Sequence, residues 1–197
     1  MARAVVMASG RGSNFQAVAE RLADSRHVIE ALICDRATAG VIDRAKLLHI
    51  RTVVVDYRKG RREAEQEIAS ILEELNPDLV VLAGFMKILP EFIVAQCAGH
   101  IVNIHPALLP KYPGTHAIER SYESNDTELG ISIHFVDAGV DTGPVIAQRS
   151  FRRSGGEKLE EIEKRIHELE HELYPEIVLS LLDTVESEAN QPTGATL

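Results

Sequence analysis

Between Pro77 and Gly84 the chain reads PDLVVLAG, apolar without a break from Leu79 to Ala83. A strand with one face in water would alternate polar and apolar residues. So short an unbroken run, closed by Pro on one side and Gly on the other, needs apolar cover on both faces. Helices supply such cover, so the run points to a parallel sheet between helical layers. Further strands are expected in AVVMA (4–8), VIEALICD (28–35), RTVVVD (51–56), HIVNIHP (100–106), GISIHFV (130–136) and PVIAQRSF (144–151). Helices are expected in NFQAVAERLA (14–23, capped by Asn14), AGVIDRAKLLH (39–49), RREAEQEIASILEEL (61–75), around PEFIVAQC (90–97), near THAIERSYES (115–124), and from about Glu157 to Leu182. The alternation predicts an α/β, Rossmann-like fold: a mostly parallel central sheet with helices on both faces and later strands that run antiparallel. At 197 residues the chain suits one domain, expected over 1–185, with 186–197 as a flexible tail.

A formal net charge of −9 argues against a general nucleic-acid binder, which needs a basic face to collect phosphates. It leaves small anions open, because a few local donors can bind a phosphate in an acidic protein. The two cysteines, Cys34 and Cys97, form no CxxC pair and read as small buried hydrophobes in a reducing compartment. The apolar run at the N-terminus is too short for a signal peptide, and no segment reaches membrane-spanning length. A cytoplasmic protein is expected.

SGRGSN (9–14) joins the first strand to the first helix. Glycines let backbone N–H groups approach an anion, and the helix N-terminus favours negative charge. The dinucleotide fingerprint GxGxxG fails at Phe15, and no Gly-Lys-Ser/Thr comes after it for a P-loop. A tight capped turn and a phosphomonoester site both fit the loop.

HELEH (167–171) matches the zincin pattern, in which two histidines one turn apart hold zinc. Leu159, Ile162, Ile166, Leu169 and Leu173 form one apolar stripe, and at about 100° per residue His167 and His171 project away from it. A solvated face suits both histidines better than a metal. Glu170 lies at the edge of the stripe and can lean towards a neighbouring cleft.

The chemistry concentrates in VNIHPALLPKYPG (102–114). Asn103 and His105, two apart on a strand, share one side of the pleat. Pro106 biases His105 to extended backbone, and Pro110 and Pro113 stiffen the segment beyond it. The pair falls where ligands gather in open α/β sheets, at the C-terminal strand ends. HFVDAGVDTGPV (134–145) adds Asp137 and Asp141 on a loop. Asn, His and Asp together suit acyl transfer: the amide donates to an oxyanion, and the carboxylate orients and charges the imidazole. An amine that attacks the carbonyl directly needs no Ser or Cys nucleophile.

Taken in order, SGRGSNFQA, PDLVVLAGFMKIL, NIHPALLPKYPG, ISIHFVDAGVDTGPVIAQ and EHELYP resemble the phosphoribosylglycinamide formyltransferase family through about Val178. The resemblance implies formyl transfer from 10-formyltetrahydrofolate to the amine of glycinamide ribonucleotide in de novo purine biosynthesis. It implies Asn103, His105 and Asp141 as the formyl-transfer residues, with His105 as acid and oxyanion partner. Gly12, Ser13, Asn14 and Glu170 would hold the ribonucleotide. Arg62, Met86, Lys87, Ile88, Leu89, Asp137, Ala138, Gly139 and Val140 would hold the folate. His116 and His134 match supporting histidines, and no metal is implied. Ala107 replaces a common serine and Lys87 a common arginine. The implied partners are small molecules only, neither nucleic acid nor membrane, for a monomer or homodimer. Competing readings are a formyltransferase for another amine, a formyltetrahydrofolate hydrolase, a phosphosugar- or folate-binding module without turnover, and a zinc hydrolase.

Overall fold

A computed structural model of the chain describes residues 1–189. Seven strands form one sheet: β1 Arg3–Ala8, β2 Val28–Cys34, β3 Thr52–Val54, β4 Leu79–Leu82, β5 Ile101–His105, β6 Glu128–Phe135 and β7 Val145–Arg152. Their order is β3-β2-β1-β4-β5-β6-β7, parallel as far as β5, with β6 and β7 antiparallel. The helices are α1 Ser13–Ala23, α2 Gly40–Leu47, α3 Arg61–Leu75, α4 Glu91–Gln96, α5 Ala117–Glu123 and α6 Leu159–Ala189.

The expected two-sided burial is present, and the strands divide their side chains by the period of the pleat. Ala4, Val6 and Ala8 of β1 and Leu79 and Val81 of β4 enter one core with α1, α2 and α6. Val5, Met7, Val80 and Leu82 enter the other, with α3 and α4. Tyr174 of α6 is fully buried, and its hydroxyl donates to the carbonyls of Leu82 and Val102 at 2.9 and 3.2 Å. That contact fixes α6 against the end of β4 and the start of β5.

Two expectations need correction. Asn14 does not cap α1: the cap position is Gly12 in a left-handed conformation (φ 80°), with no side-chain capping bond. A Cβ at Gly12 would stand 2.5 Å from Val41, so the turn excludes larger residues. The final helix also outruns its expected end at Leu182, because Glu186 has partners that hold it there. The N-terminal ammonium and Arg26 both pair with Glu186. The expected tail therefore loses 186–189 to α6, and the remainder, 190–197, lies outside the described residues.

Candidate active site

Ile101 of β5 packs with the α3/α4 core, so Asn103 and His105, in phase with it, face the same side. Antiparallel pairing sets His134 opposite Asn103 and Ser132 opposite His105. That buried cluster includes no residue of β6 or β7, so the polar groups stand where the helical cover gives out. The loop after β5 folds over them instead. Ser132 Oγ accepts from Leu109 N–H and Gln148 Nε2 and donates to Ala107 O. Further along, the Arg120 guanidinium donates to Pro113 O at 2.6 Å. The prolines are thus part of a frame, but its fastenings come from β6, β7 and α5.

Asp141 is the hub. Its Oδ2 accepts from Gly114 N–H at 2.7 Å and lies 3.3 Å from His105 Nδ1. Its Oδ1 lies 3.4 Å from Asn103 Nδ2 and 3.5 Å from His134 Nε2. The contact with His134, the Gly114 N–H and the charge of His105 hold the Asp141 carboxyl down at about 2. Asp141 itself adopts a left-handed backbone (φ 55°), which for a non-glycine residue marks a constrained loop. On His105, Nε2 donates to Tyr112 O at 2.8 Å. Burial pushes the imidazole pKa down, while Asp141 and the Tyr112 carbonyl oppose that. Both ring nitrogens have acceptors, so the imidazolium is the form that satisfies them both.

These residues wall a cavity of about 520 Å³, a size suited to a small organic ligand. Met86, Lys87, Ile88, Leu89, His116, Asp137, Gly139 and Val140 line it as well. Met86 and Ile88 are 64 % and 60 % exposed, so much of the cavity rim is bare apolar surface. Asp137 Oδ1 accepts from Gly139 N–H and the Thr142 hydroxyl, which shapes its loop. Neither Ala138 nor Arg62 is among the lining residues; Arg62 is exposed on the first turn of α3. Lys87 reaches the other way as well, 3.8 Å from Asp35 and over the Tyr57 ring.

The glycine loop adjoins this cavity without lining it. Ser9 joins the two regions: its Oγ accepts from Met86 N–H at 2.8 Å, and its N–H donates to Gly84 O. Asn14 Nδ2 donates to Glu170 Oε2 at 3.0 Å, and Asn14 Oδ1 is buried with no protein partner among the described residues. Glu170, only 4 % exposed, also accepts from His167 Nδ1 at 3.0 Å. That bond raises the His167 pKa. His167 is therefore tied to the Glu170 carboxylate that holds Asn14, which its expected solvated role did not include. The His167 and His171 rings stack 6.5 Å apart. Arg120 carried no sequence signal, and Ser9, Ser132 and Gln148 stand in the quoted motifs without an assigned role, since each works through a contact with a distant segment. An alternation phase for β6 opposite β5 could have raised Ser132.

A family model described as formyl transferase matches residues 2–178. The phosphoribosylglycinamide formyltransferase of Bacillus subtilis (strain 168) is 39 % identical over 186 residues, 92 % of this chain and 95 % of that protein. The trifunctional purine biosynthetic protein adenosine-3 of Drosophila pseudoobscura pseudoobscura is 36 % identical over 179 residues, 88 % of this chain and 13 % of that one. The crystal structure of glycinamide ribonucleotide transformylase 1 from Geobacillus kaustophilus superposes with a TM-score of 0.88 at 41 % identity. It covers 92 % of this chain and 99 % of its own.

Proposed function

The chain belongs to the formyl transferase family, among the phosphoribosylglycinamide formyltransferases, and from that premise we propose how its own residues carry the reaction. The enzyme formylates glycinamide ribonucleotide in purine biosynthesis, with a formyl folate as donor; the donor is 10-formyltetrahydrofolate. The observation that carries the residue assignment is Asp141, which draws His105, Asn103 and the Gly114 N–H together on the wall of one cavity.

The ribonucleotide amine attacks the formyl carbon, and the carbonyl π electrons pass to oxygen. Collapse of the tetrahedral species breaks the bond to the folate nitrogen, which takes up a proton as the former amine loses one. The developing oxyanion needs positive charge or a donor nearby. The His105 imidazolium supplies the charge; burial lowers its pKa, and the Asp141 carboxylate offsets part of that cost and orients the ring. Asn103 completes the reacting set. The N–H groups that open α1, beside Gly12, Ser13 and Asn14, suit the phosphate, with Glu170 holding Asn14 in place. Met86 to Leu89 and the loop from Asp137 to Asp141 form the apolar bed for the folate rings. Lys87 keeps its charge on Asp35, so its backbone rather than its ammonium faces the donor. No metal takes part in this scheme, and its partners are these small molecules in the cytoplasm.

The test is release of tetrahydrofolate from 10-formyltetrahydrofolate, with and without glycinamide ribonucleotide. Release should require the ribonucleotide, and His105→Ala should lower kcat by about 10²–10⁴-fold with little change in either KM. Release without acceptor would indicate a hydrolase. No release would leave a formyltransferase for another amine, or a binding module.

A further inference from the structure

The Asn103 amide nitrogen is turned towards two protein groups. Nδ2 lies 3.2 Å from His134 Nε2 and 3.4 Å from Asp141 Oδ1. Its Oδ1 receives no hydrogen bond from protein donors among the described residues, and Asn103 lines the cavity. In this arrangement the carboxamide shows the cleft an acceptor, the opposite of what an oxyanion needs.

The reason lies in His134. Its Nδ1 is 2.8 Å from Phe135 O, and a carbonyl can only accept, so Nδ1 carries the proton. In neutral imidazole Nε2 is then a bare lone pair, and an Asn103 N–H is the group that can satisfy it. The ring is 2 % exposed, so water does not substitute freely for that partner. A second proton reverses the logic. Nε2–H then needs an acceptor, and Asp141 Oδ1 stands 3.5 Å away. With the carboxamide turned over, Asn103 Oδ1 shares that N–H, and the amide hydrogens face the cleft.

We propose that His134 is a positioning residue whose protonation state sets which end of Asn103 meets the substrates. Neutral His134 presents the Asn103 oxygen, which accepts the N–H of the attacking amine. Protonated His134 presents the amide, which donates to the oxyanion. The charged groups facing the ring are Asp141, with Oδ1 3.5 Å from Nε2, and His105, two residues beyond Asn103 on the neighbouring strand. The oxygen-out and amide-out roles rest on the reaction assigned above, whereas the coupling of His134 to Asn103 does not.

The experiment therefore has a spectroscopic arm and a kinetic arm. Nitrogen-15 NMR of the intact enzyme should show neutral His134 with its proton on Nδ1. The Asn103 side-chain amide signals should shift with the same midpoint as His134. In His134→Gln, which keeps a neutral polar partner, the amide signals should lose that midpoint. Asn103 signals that ignore the His134 titration, or a neutral ring protonated on Nε2, would overturn the proposal even if formyl transfer is intact. His134→Phe, which removes the partner, should lower kcat about tenfold to a hundredfold with both KM values nearly unchanged. His134→Gln should recover part of that loss and flatten the His134-linked limb of the pH profile. A Gln variant as slow as Phe, with an unchanged pH limb, would also overturn it. Absence of formyl transfer in the wild type would strike the assigned reaction and leave the NMR test standing.

Discussion

On the side of the cleft proposed for the ribonucleotide, Glu170 is 4 % exposed and receives both Asn14 and His167. On the side proposed for the folate, Met86 and Ile88 are 64 % and 60 % exposed, and Val140 is 44 % exposed. The difference suits what each side is proposed to hold. A carboxylate taken out of water without partners costs several kcal/mol, so a polar subsite has to be assembled during folding. An apolar rim carries no such penalty and gains its stabilisation when a ligand covers it. The first side is therefore coupled to the stability of the fold, and the second mainly to ligand affinity.

The largest effect that separates the two sides is expected from Glu170→Ala. It strands the Asn14 amide in a buried position, at a cost of about 1–3 kcal/mol. The ribonucleotide KM should rise about tenfold to a hundredfold and the thermal midpoint should fall, while the folate KM stays within about twofold. Equal shifts in both KM values would mean that the Ser9 link to Met86 makes the two sides one body.

Next in size is the pH response of Asp141, which belongs to the seam between the sides. Its folded pKa of about 2 lies below the ordinary carboxylate value of about 3.9. A depressed acid stabilises the fold above its unfolded pKa, and the effect fades as pH falls through the folded one. Asp141→Asn should therefore cost about 2 kcal/mol in chemical denaturation at pH 7, with wild type and variant converging near pH 2. A constant difference across that range would place the cost in packing instead of charge.

The smallest effect belongs to the folate side. Ile88→Ala should leave stability within about 0.5 kcal/mol, because the side chain is largely exposed before ligand arrives. The folate KM should rise about tenfold, as expected for losing most of an Ile burial. A large stability loss with no change in folate KM would show that the rim is structural.

The sheet, most of the helices and the phase of the key pair are legible in the sequence alone. Unbroken apolar runs such as LVVLA specify two-sided burial, and a period of two places Asn103 and His105 on one face whatever the rest does. The position of Asp141 on a loop leaving a strand is legible in the same way. The bonding partners of those side chains came from tertiary structure. Asn14 reads as a helix cap but points at Glu170, 156 residues away. His134 stands beside Asn103 because β6 pairs antiparallel with β5 in one register. The final helix continues to Ala189, where Glu186 meets Arg26 and the N-terminus. Periodicity and propensity are local, so a short window of residues contains them. The partner of a buried polar group is set by whichever distant segment packs beside it, and that depends on the assembly of the whole sheet.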